Sequence, residues 1–561
     1  MVNRLLRHSQ ALFSLQQTHI LSAAAVITTA TFLSALLGLL KTRLLLSHFS
    51  ATPELKAILD AYWVALRLPE LIFQLLVIGA LSAAFIPVFS KYWQKHPPEA
   101  YHVASSAMNL ILILFSLLSL IIFIFARPFN ALITSVQFTS SQLDLATNLT
   151  RLMIFAQLFF AISNFLTGII QAQQRFLIPA LSPVVYNLGI IVGIVFLTPL
   201  IGIYGAAVGV LLGAFLHLAI QLPLAIHLGF TYRQVIDLTH PGVKAMFRLM
   251  PPRTLAISVS QLELSAMVYF ATALSAGSLT VLQIAQQLMV APIRLFSIPI
   301  GQASLPFLAN TTAPYHLDRF IATFLTYLRQ ILYLAFPATM LLVILRIPLV
   351  RIVYGTKAFP WATTLLTGKT LAVLSLSLFA QAAIHILVRA FYALHNTKTP
   401  FLIALTAFII NIVLASLAVF HFHSGILGLA FSLSVATIIQ SFWLFLALRH
   451  SLPGLVDRHS LLAIAKMLFA SLAMSIFLWV PMRLLDRFVF DTTRVFSLVF
   501  LTLIASLTGT GVYLLLSYLL HLPELSAFLS LAHRLGNWHK VLQNTEEVLE
   551  PASQVQELKP A

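Results

Sequence analysis

From near residue 20 to near residue 520 the chain is a succession of apolar runs, each close to 20 residues long, separated by short stretches that hold most of the charged residues. Coiled as a helix rising about 1.5 Å per residue, such a run matches the roughly 30 Å hydrocarbon core of a bilayer. Within lipid every backbone N–H and C=O must be satisfied by the protein itself, so only helices or closed barrels can span. The runs are too long for barrel strands and lack the two-residue alternation of a membrane barrel. Composition agrees: 60% of the 561 residues are hydrophobic and 9% charged, against about 25% charged in soluble proteins. The expected fold is therefore an all-α polytopic membrane protein.

Fourteen runs qualify as spans: 20–40, 61–89, 103–126, 150–171, 177–199, 203–226, 254–276, 282–308, 321–345, 371–394, 400–420, 425–448, 461–482 and 495–520. The first follows Arg4 and Arg7 as a signal sequence would, but it leads directly into further spans and reads as a retained helix. With the N-terminus inside, Lys and Arg are modestly in excess on the inner side. That places both termini in the cytoplasm and makes 227–253, with Arg233, Lys244, Arg248 and Arg253, the main cytoplasmic loop. Residues 541–561, rich in Glu and carrying Pro551 and Pro560, read as a disordered tail.

Three pairs of landmarks recur about 220 residues apart. Gly79-Ala-Leu-Ser82 before Pro87 is echoed by Gly301-Gln-Ala-Ser304 before Pro306; Arg127-Pro128 by Arg346-Ile-Pro348; and the stretch from Gln174-Arg175 to Asn187 by that from Thr397-Lys398 to Asn411. The spacing predicts two parallel six-helix bundles around a central cavity, 1–226 and 227–450, followed by two further spans in 451–520 and a tail, 521–561. Parallel repeats of this kind can rock against each other for alternating access. The competing reading is that helix ends merely share similar punctuation.

A charge at the bilayer centre costs on the order of 3 kcal/mol, so ionisable residues within spans mark function by default. In the second span Asp60 and Arg67 are seven residues apart and share a helix face. Arg67 either faces a cavity or snorkels to the headgroups. Pro69 frees a backbone carbonyl one turn back, which only protein or water can satisfy. Lys41, Arg43 and His48 extend the first span, to anchor at headgroups or to hold a substrate. In the seventh span Ser258, Ser260, Gln261, Glu263 and Ser265 form a polar patch, in which Glu263 is either a structural carboxylate or a functional one. In the eighth, Gln283, Gln287 and Arg294 lie along one stripe; Arg294 either lines a cavity or snorkels.

Other chemistries find no support. The chain has no cysteine, which excludes disulfides and thiolate chemistry. His217, His385, His421 and His423 lack partners at metal-ligand spacing, so no metal site is expected. There is no phosphate-cradling Gly-rich loop and no hydrolase motif, and no enzyme is expected. The net charge of +17 is distributed over loops and span ends and does not indicate a nucleic-acid partner.

Several stretches resemble the MviN/MurJ lipid II flippase family. They are Ser34-Ala-Leu-Leu-Gly38, Asp60-Ala-Tyr-Trp-Val-Ala-Leu-Arg67-Leu-Pro69, Gly79-Ala-Leu-Ser82-Ala-Ala-Phe-Ile-Pro87, Arg175-Phe-Leu-Ile-Pro179-Ala-Leu-Ser-Pro183-Val-Val-Tyr-Asn187, Ser258-Val-Ser-Gln261 and Phe391-Tyr-Ala-Leu-His-Asn-Thr-Lys-Thr-Pro400. The family belongs to the multidrug/oligosaccharidyl-lipid/polysaccharide exporter superfamily. The resemblance implies a bacterial inner-membrane flippase that carries an undecaprenyl-pyrophosphate-linked peptidoglycan precursor, lipid II, to the outer leaflet, with the last two helices adding a lipid-facing groove. It implies membrane lipids and cell-wall synthesis proteins as partners, no cofactor, and a coupling monovalent cation, sodium or proton. The alternatives are a flippase for another polyprenyl-linked oligosaccharide, a cation-coupled exporter, and a non-transporting membrane scaffold.

The chain departs from the family pattern at four places. The family's Arg-Asp pair after the first-span glycine is here Lys41-Thr42; its basic residues after the Leu-Pro of span two are Phe73 and Gln74; its arginine of span eight is Gln287; and the acid through which some members bind sodium falls on Met267, one turn after Glu263. The expected substrate-binding residues are Lys41, Arg43, Arg67, Gln287 and Arg294, with Asp60 orienting Arg67. Glu263 and Asn411 are the expected coupling or counter-ion residues.

Overall fold

A computed structural model describes residues 20–79, 85–309, 317–491, 494–526 and 528–529. Every regular element among them is helical. The long helices are α1 (Ile20–Phe49), α2 (Pro53–Phe73), α3 (Pro97–Ile124), α4 (Ser140–Ala172), α5 (Leu177–Val192), α6 (Ile203–Ala219), α7 (Pro241–Thr272), α8 (Ser278–Pro292), α9 (Leu317–Ile344), α10 (Trp361–Ser375), α11 (Leu378–Ala393), α12 (Lys398–Ser416), α13 (Gly425–Ser451), α14 (Arg458–Phe488) and α15 (Val495–Leu519).

Twelve described stretches are long and apolar enough to cross a membrane, and α10 with α11 make a thirteenth as one broken span. These thirteen stand close to the expected fourteen; the remaining run, 254–276, lies in α7, a 32-residue helix that begins at Pro241. The early start of α7 shortens the expected loop 227–253 to 228–240. His240 and Pro241 set that start: the imidazole accepts from Gly242 N, and proline occupies the first turn, where its missing N–H costs nothing. The landmark Gly79-Ala-Leu-Ser82 lies partly outside the described residues.

The element order recurs. Helix α3, the short helix Ala126–Ile133, α4, α5 with the π-helical turn Gly193–Leu197, and α6 are followed in the same sequence by α9, Arg346–Tyr354, the α10–α11 pair, α12 with the π-helical turn Leu417–His421, and α13. Left-handed backbone recurs with it, at Gln174 and His395, at Gly202 and Gly425, and at Gly229 and Gly454.

The helices fall into two compact units. The first comprises Met1–Ala291, Leu345–Gln381 and His395–Phe445; the second Pro292–Ile344, Ala382–Leu394 and Leu446–Ala561. The core of the first is aromatic, with Phe85, Phe89, Phe115 and Phe165 fully buried between α2, α3, α4 and the short helix Ile86–Lys95. Its α5 and α6 approach through glycines: a Cβ on Gly193 would collide with the Gly209 backbone. Close backbone approach through small residues is how helices associate in lipid, where hydrophobicity gives no net drive. In the second unit α14 packs along α15 and α9. There Tyr513 OH donates to Tyr333 O at 2.7 Å, and Arg329 Nε pairs with the buried Glu524 at 2.8 Å.

Candidate functional site

The polar residues of the first unit meet where α1, α2, α7 and α8 come together. Pro69 has no N–H to offer the Ala65 carbonyl. The Thr150 hydroxyl of α4 stands in at 3.3 Å, shared with Ala146 O at 2.8 Å, and Asn130 Nδ2 donates to that hydroxyl at 3.0 Å. The expected vacancy behind Pro69 is thus filled by protein.

Arg67 is buried and turned toward α7. Its Nη2 donates to Gln261 O and Gln261 Oε1, each at 2.7 Å, and its Nε donates to Ser265 Oγ at 3.1 Å. Snorkelling is excluded for this side chain. Asp60 serves another partner: its carboxylate accepts from Gly277 N at 2.6 Å, Thr280 N at 2.9 Å and Thr280 Oγ1 at 2.6 Å. It therefore anchors the first turn of α8, where backbone N–H groups have no helical acceptor. The structure does not bring Asp60 and Arg67 together.

Lys41 is half-buried. Its Nζ lies 5.8 Å from the centre of the Tyr186 ring and has no hydrogen-bond partner among the described residues. Tyr186 packs edge-on to Phe160 at 4.8 Å, and Phe160 meets Phe73 at 5.9 Å. Phe73, at one of the basic family positions, has become part of the aromatic shelf under Lys41, and Gln74 opens a π-helical turn, Gln74–Ile78. Glu70, an exposed carboxylate, is close enough to act electrostatically on both Lys41 and Arg67.

Thr42 and Gln287 prove to be a single feature. Thr42 Oγ1 donates to Gln287 Oε1 at 3.2 Å, and Tyr354 OH donates to the same oxygen at 3.2 Å. The positions where the resemblance places an acid and an arginine are in contact, so one negative and one positive charge are replaced together by a neutral hydrogen-bonded pair. Arg43 Nη1 donates to Ile352 O at 2.8 Å and ties α1 to the helix Arg346–Tyr354.

Glu263 and Asn411 also meet. Asn411 Nδ2 donates to Glu263 Oε1 at 2.9 Å and approaches Met267 Sδ at 4.0 Å. Asn411 is fully buried, and its Oδ1 has no hydrogen-bond partner. Asn187, its counterpart in the first repeat, donates instead to Ser34 of α1 at 3.1 Å. Glu263 thus occupies the neighbourhood of Met267 from one turn away. Arg294 belongs to the second unit, exposed within the π-helical turn Ile293–Ser297 that follows Pro292.

Of the partners that complete these contacts, Gln261 and Ser265 belong to the polar patch visible in the sequence. Thr42 and Tyr186 lie within or beside the family-like stretches. Glu70 stands beside Arg67 as an ionisable residue of the second span, and Tyr354 carries no signal that separates it from interfacial residues.

An array of long apolar helices holding buried, hydrogen-bonded cations and amides defines a polytopic transporter fold, and the solved structures agree. A lipid II flippase MurJ in an inward closed conformation matches with a TM-score of 0.70 and 24% identity, covering 88% of this chain and 98% of that one. An inward-facing multidrug resistance MATE family transporter of the MOP superfamily matches with a TM-score of 0.61 and 16% identity, covering 75% and 95%. The family profile described as lipid II flippase MurJ matches residues 55–503, and the chain belongs to that family. Among relatives, the probable lipid II flippase MurJ of Bdellovibrio bacteriovorus is 27% identical over 525 residues, 92% of this chain and 95% of that protein. The lipid II flippase MurJ of Burkholderia cenocepacia is 28% identical over 440 residues, covering 76% and 83%. With its spans and bacterial relatives, the chain is a multi-pass protein of the bacterial inner membrane.

Proposed function

We propose that this protein moves lipid II from the inner to the outer leaflet by alternating access, with both termini cytoplasmic and the lobes 1–226 and 227–450 rocking as parallel repeats. The recurring element order supports the repeats. Lys41 and Arg67 hold the pyrophosphate. The observation that carries this reading is the Lys41 ammonium, which rests on an aromatic ring with no hydrogen-bond partner among the described residues, while Arg67, which feels the same Glu70 carboxylate, is anchored to Gln261 and Ser265. A mobile point charge and an anchored guanidinium suit an anion that must be bound and then released. The exchange of the family's acid and arginine for Thr42 and Gln287 is neutral in charge, so that pair does not by itself argue against an anionic substrate, whereas Phe73 and Gln74 in place of basic residues leave Lys41 and Arg67 to carry more of the anion's binding.

Glu263 and Asn411 form the coupling site for a monovalent cation, sodium or proton. One carboxylate oxygen and the unpartnered Asn411 Oδ1 are oxygen donors of the kind a hard cation takes.

A leaflet-resolved lipid II assay in vesicles of the purified chain tests both parts. Translocation is expected, with its dependence on a sodium or proton gradient abolished in Glu263→Gln. Vesicles without translocation despite correctly inserted protein would reject the transport reading, and an unchanged gradient dependence in the variant would reject the coupling site alone.

A further inference from the structure

The C-terminal end of α14 carries a charge arrangement that the transport site does not use. Between Lys466 and Arg483 the helix has no charged residue, a stretch of about 25 Å at 1.5 Å per residue, close to the thickness of the hydrocarbon core. Arg483 and Arg487 therefore fall at a membrane boundary, one turn apart on one face. The Arg483 guanidinium lies 5.8 Å from the centre of the Trp479 ring and that of Arg487 lies 5.5 Å from the centre of the Phe488 ring. With Leu484 and Asp486 these side chains line an open cleft of about 570 Å³. Asp486 is itself engaged, and the cleft carries two positive charges against one negative. From it an exposed apolar stripe, Leu472, Ile476 and Val480, runs back along the same face toward the middle of the helix.

We propose that this cleft is a binding site for an anionic phospholipid, its phosphodiester held by Arg483 and Arg487 and an acyl chain laid along Leu472, Ile476 and Val480. Stacking on an aromatic ring fixes a guanidinium plane and leaves its N–H edge open for a phosphate. Trp479 places its apolar body in the acyl region and its N–H at the headgroup level. The excess of positive charge selects an anionic headgroup over a zwitterionic one. The site is independent of the transport reading, since none of its residues lies among those assigned to the substrate or the coupling ion.

Native mass spectrometry of the full chain, titrated in detergent with phosphatidylglycerol or phosphatidylcholine, tests it. Phosphatidylglycerol is expected to be retained roughly tenfold better, as two cations at a membrane surface would give. Arg483→Gln with Arg487→Gln should bring the two lipids to parity. Arg494→Gln, which removes an exposed arginine 3.7 Å from Asp491 at the start of α15, should leave the preference intact. Arg483→Lys with Arg487→Lys keeps the charge, loses the flat stacking, and should forfeit at least half of the preference. No preference in the wild-type chain, a preference surviving the double glutamine variant, or an equal loss in Arg494→Gln would overturn the proposal. Displacement of phosphatidylglycerol by equimolar farnesyl diphosphate would overturn it too, because the cleft would then serve polyprenyl diphosphates.

Discussion

An ammonium within a membrane helix costs on the order of 3 kcal/mol on insertion scales, and Lys41 bears that cost with an aromatic ring and the field of the Glu70 carboxylate as compensation. A headgroup anchor would reach water or phosphate, so the half-buried placement favours a substrate role over anchoring. Lys41→Gln should insert normally and lower lipid II translocation at least roughly tenfold, since a charge-assisted contact of about 1.5–3 kcal/mol is lost; near-normal rates in a vesicle assay would return Lys41 to a packing role. Thr42 and Gln287 admit a sharper test because they touch. Gln287→Arg alone buries an unpaired cation, and Thr42→Asp alone an unpaired anion; each should impair insertion or stability by about 3–5 kcal/mol, and the double variant should recover most of it. Thermal unfolding of the four proteins gives the coupling energy, and additive losses would show that the two positions do not exchange as a pair. In the sequence these were two separate losses, because residues 245 apart carry no sign of contact. Glu263 with Asn411 was more legible, since an acid one turn from the family position already pointed to the same helix face. Asp60 was legible as a buried acid but not as an anchor for α8, because its partners are backbone N–H groups, which every sequence has.

At the scale of elements, apolar run length reported the helices reliably, and what it did not show is the break inside one of them, the 42° bend between α10 and α11. The π-helical turns were not legible at all, since Gln74–Ile78, Gly193–Leu197, Ile293–Ser297 and Leu417–His421 share no residue pattern. The contact of α5 with α6 depends on glycine at the crossing. Gly193→Leu should destabilise the first unit by roughly 1–3 kcal/mol through overpacking, read as a lowered unfolding temperature in detergent; an unchanged value would mean that the helices separate without cost. The loop 228–240 is laced to α3. Asn109 Nδ2 donates to Arg233 O and Val235 O, Ser106 Oγ accepts from Asp237 N, and His102 Nε2 lies 3.2 Å from Asp237 Oδ2. Hydrogen bonds from the Thr239 hydroxyl and from His102 hold the Asp237 carboxyl well below the usual carboxylate range. A lowered value stabilises the docked loop at every pH above the ordinary carboxylate value, about 4, and that contribution is lost as pH falls below it. Amide exchange of Arg233 and Asp237 should therefore quicken, relative to the intrinsic rate, only on acidification below that point, and Asp237→Asn should abolish the dependence. Loosening that sets in on raising the pH instead would contradict the assignment.

For the molecule as a whole, three landmark pairs in the sequence suggest a repeat, and helix order, π-helical turns and left-handed residues recur among the described residues, features that arise from backbone geometry and leave only glycine as an occasional trace. The family was legible because its motifs sit where prolines, glycines and buried polar residues fix the helices. What the chain does with a rearranged set of charges is decided by which positions touch. Complementation of a bacterium depleted of its lipid II flippase tests the central claim most directly. The wild-type chain should restore growth, and Lys41→Gln with Arg67→Gln, at equal abundance in the membrane, should not. Failure of the wild-type chain at normal abundance, or full rescue by the double variant, would contradict the account.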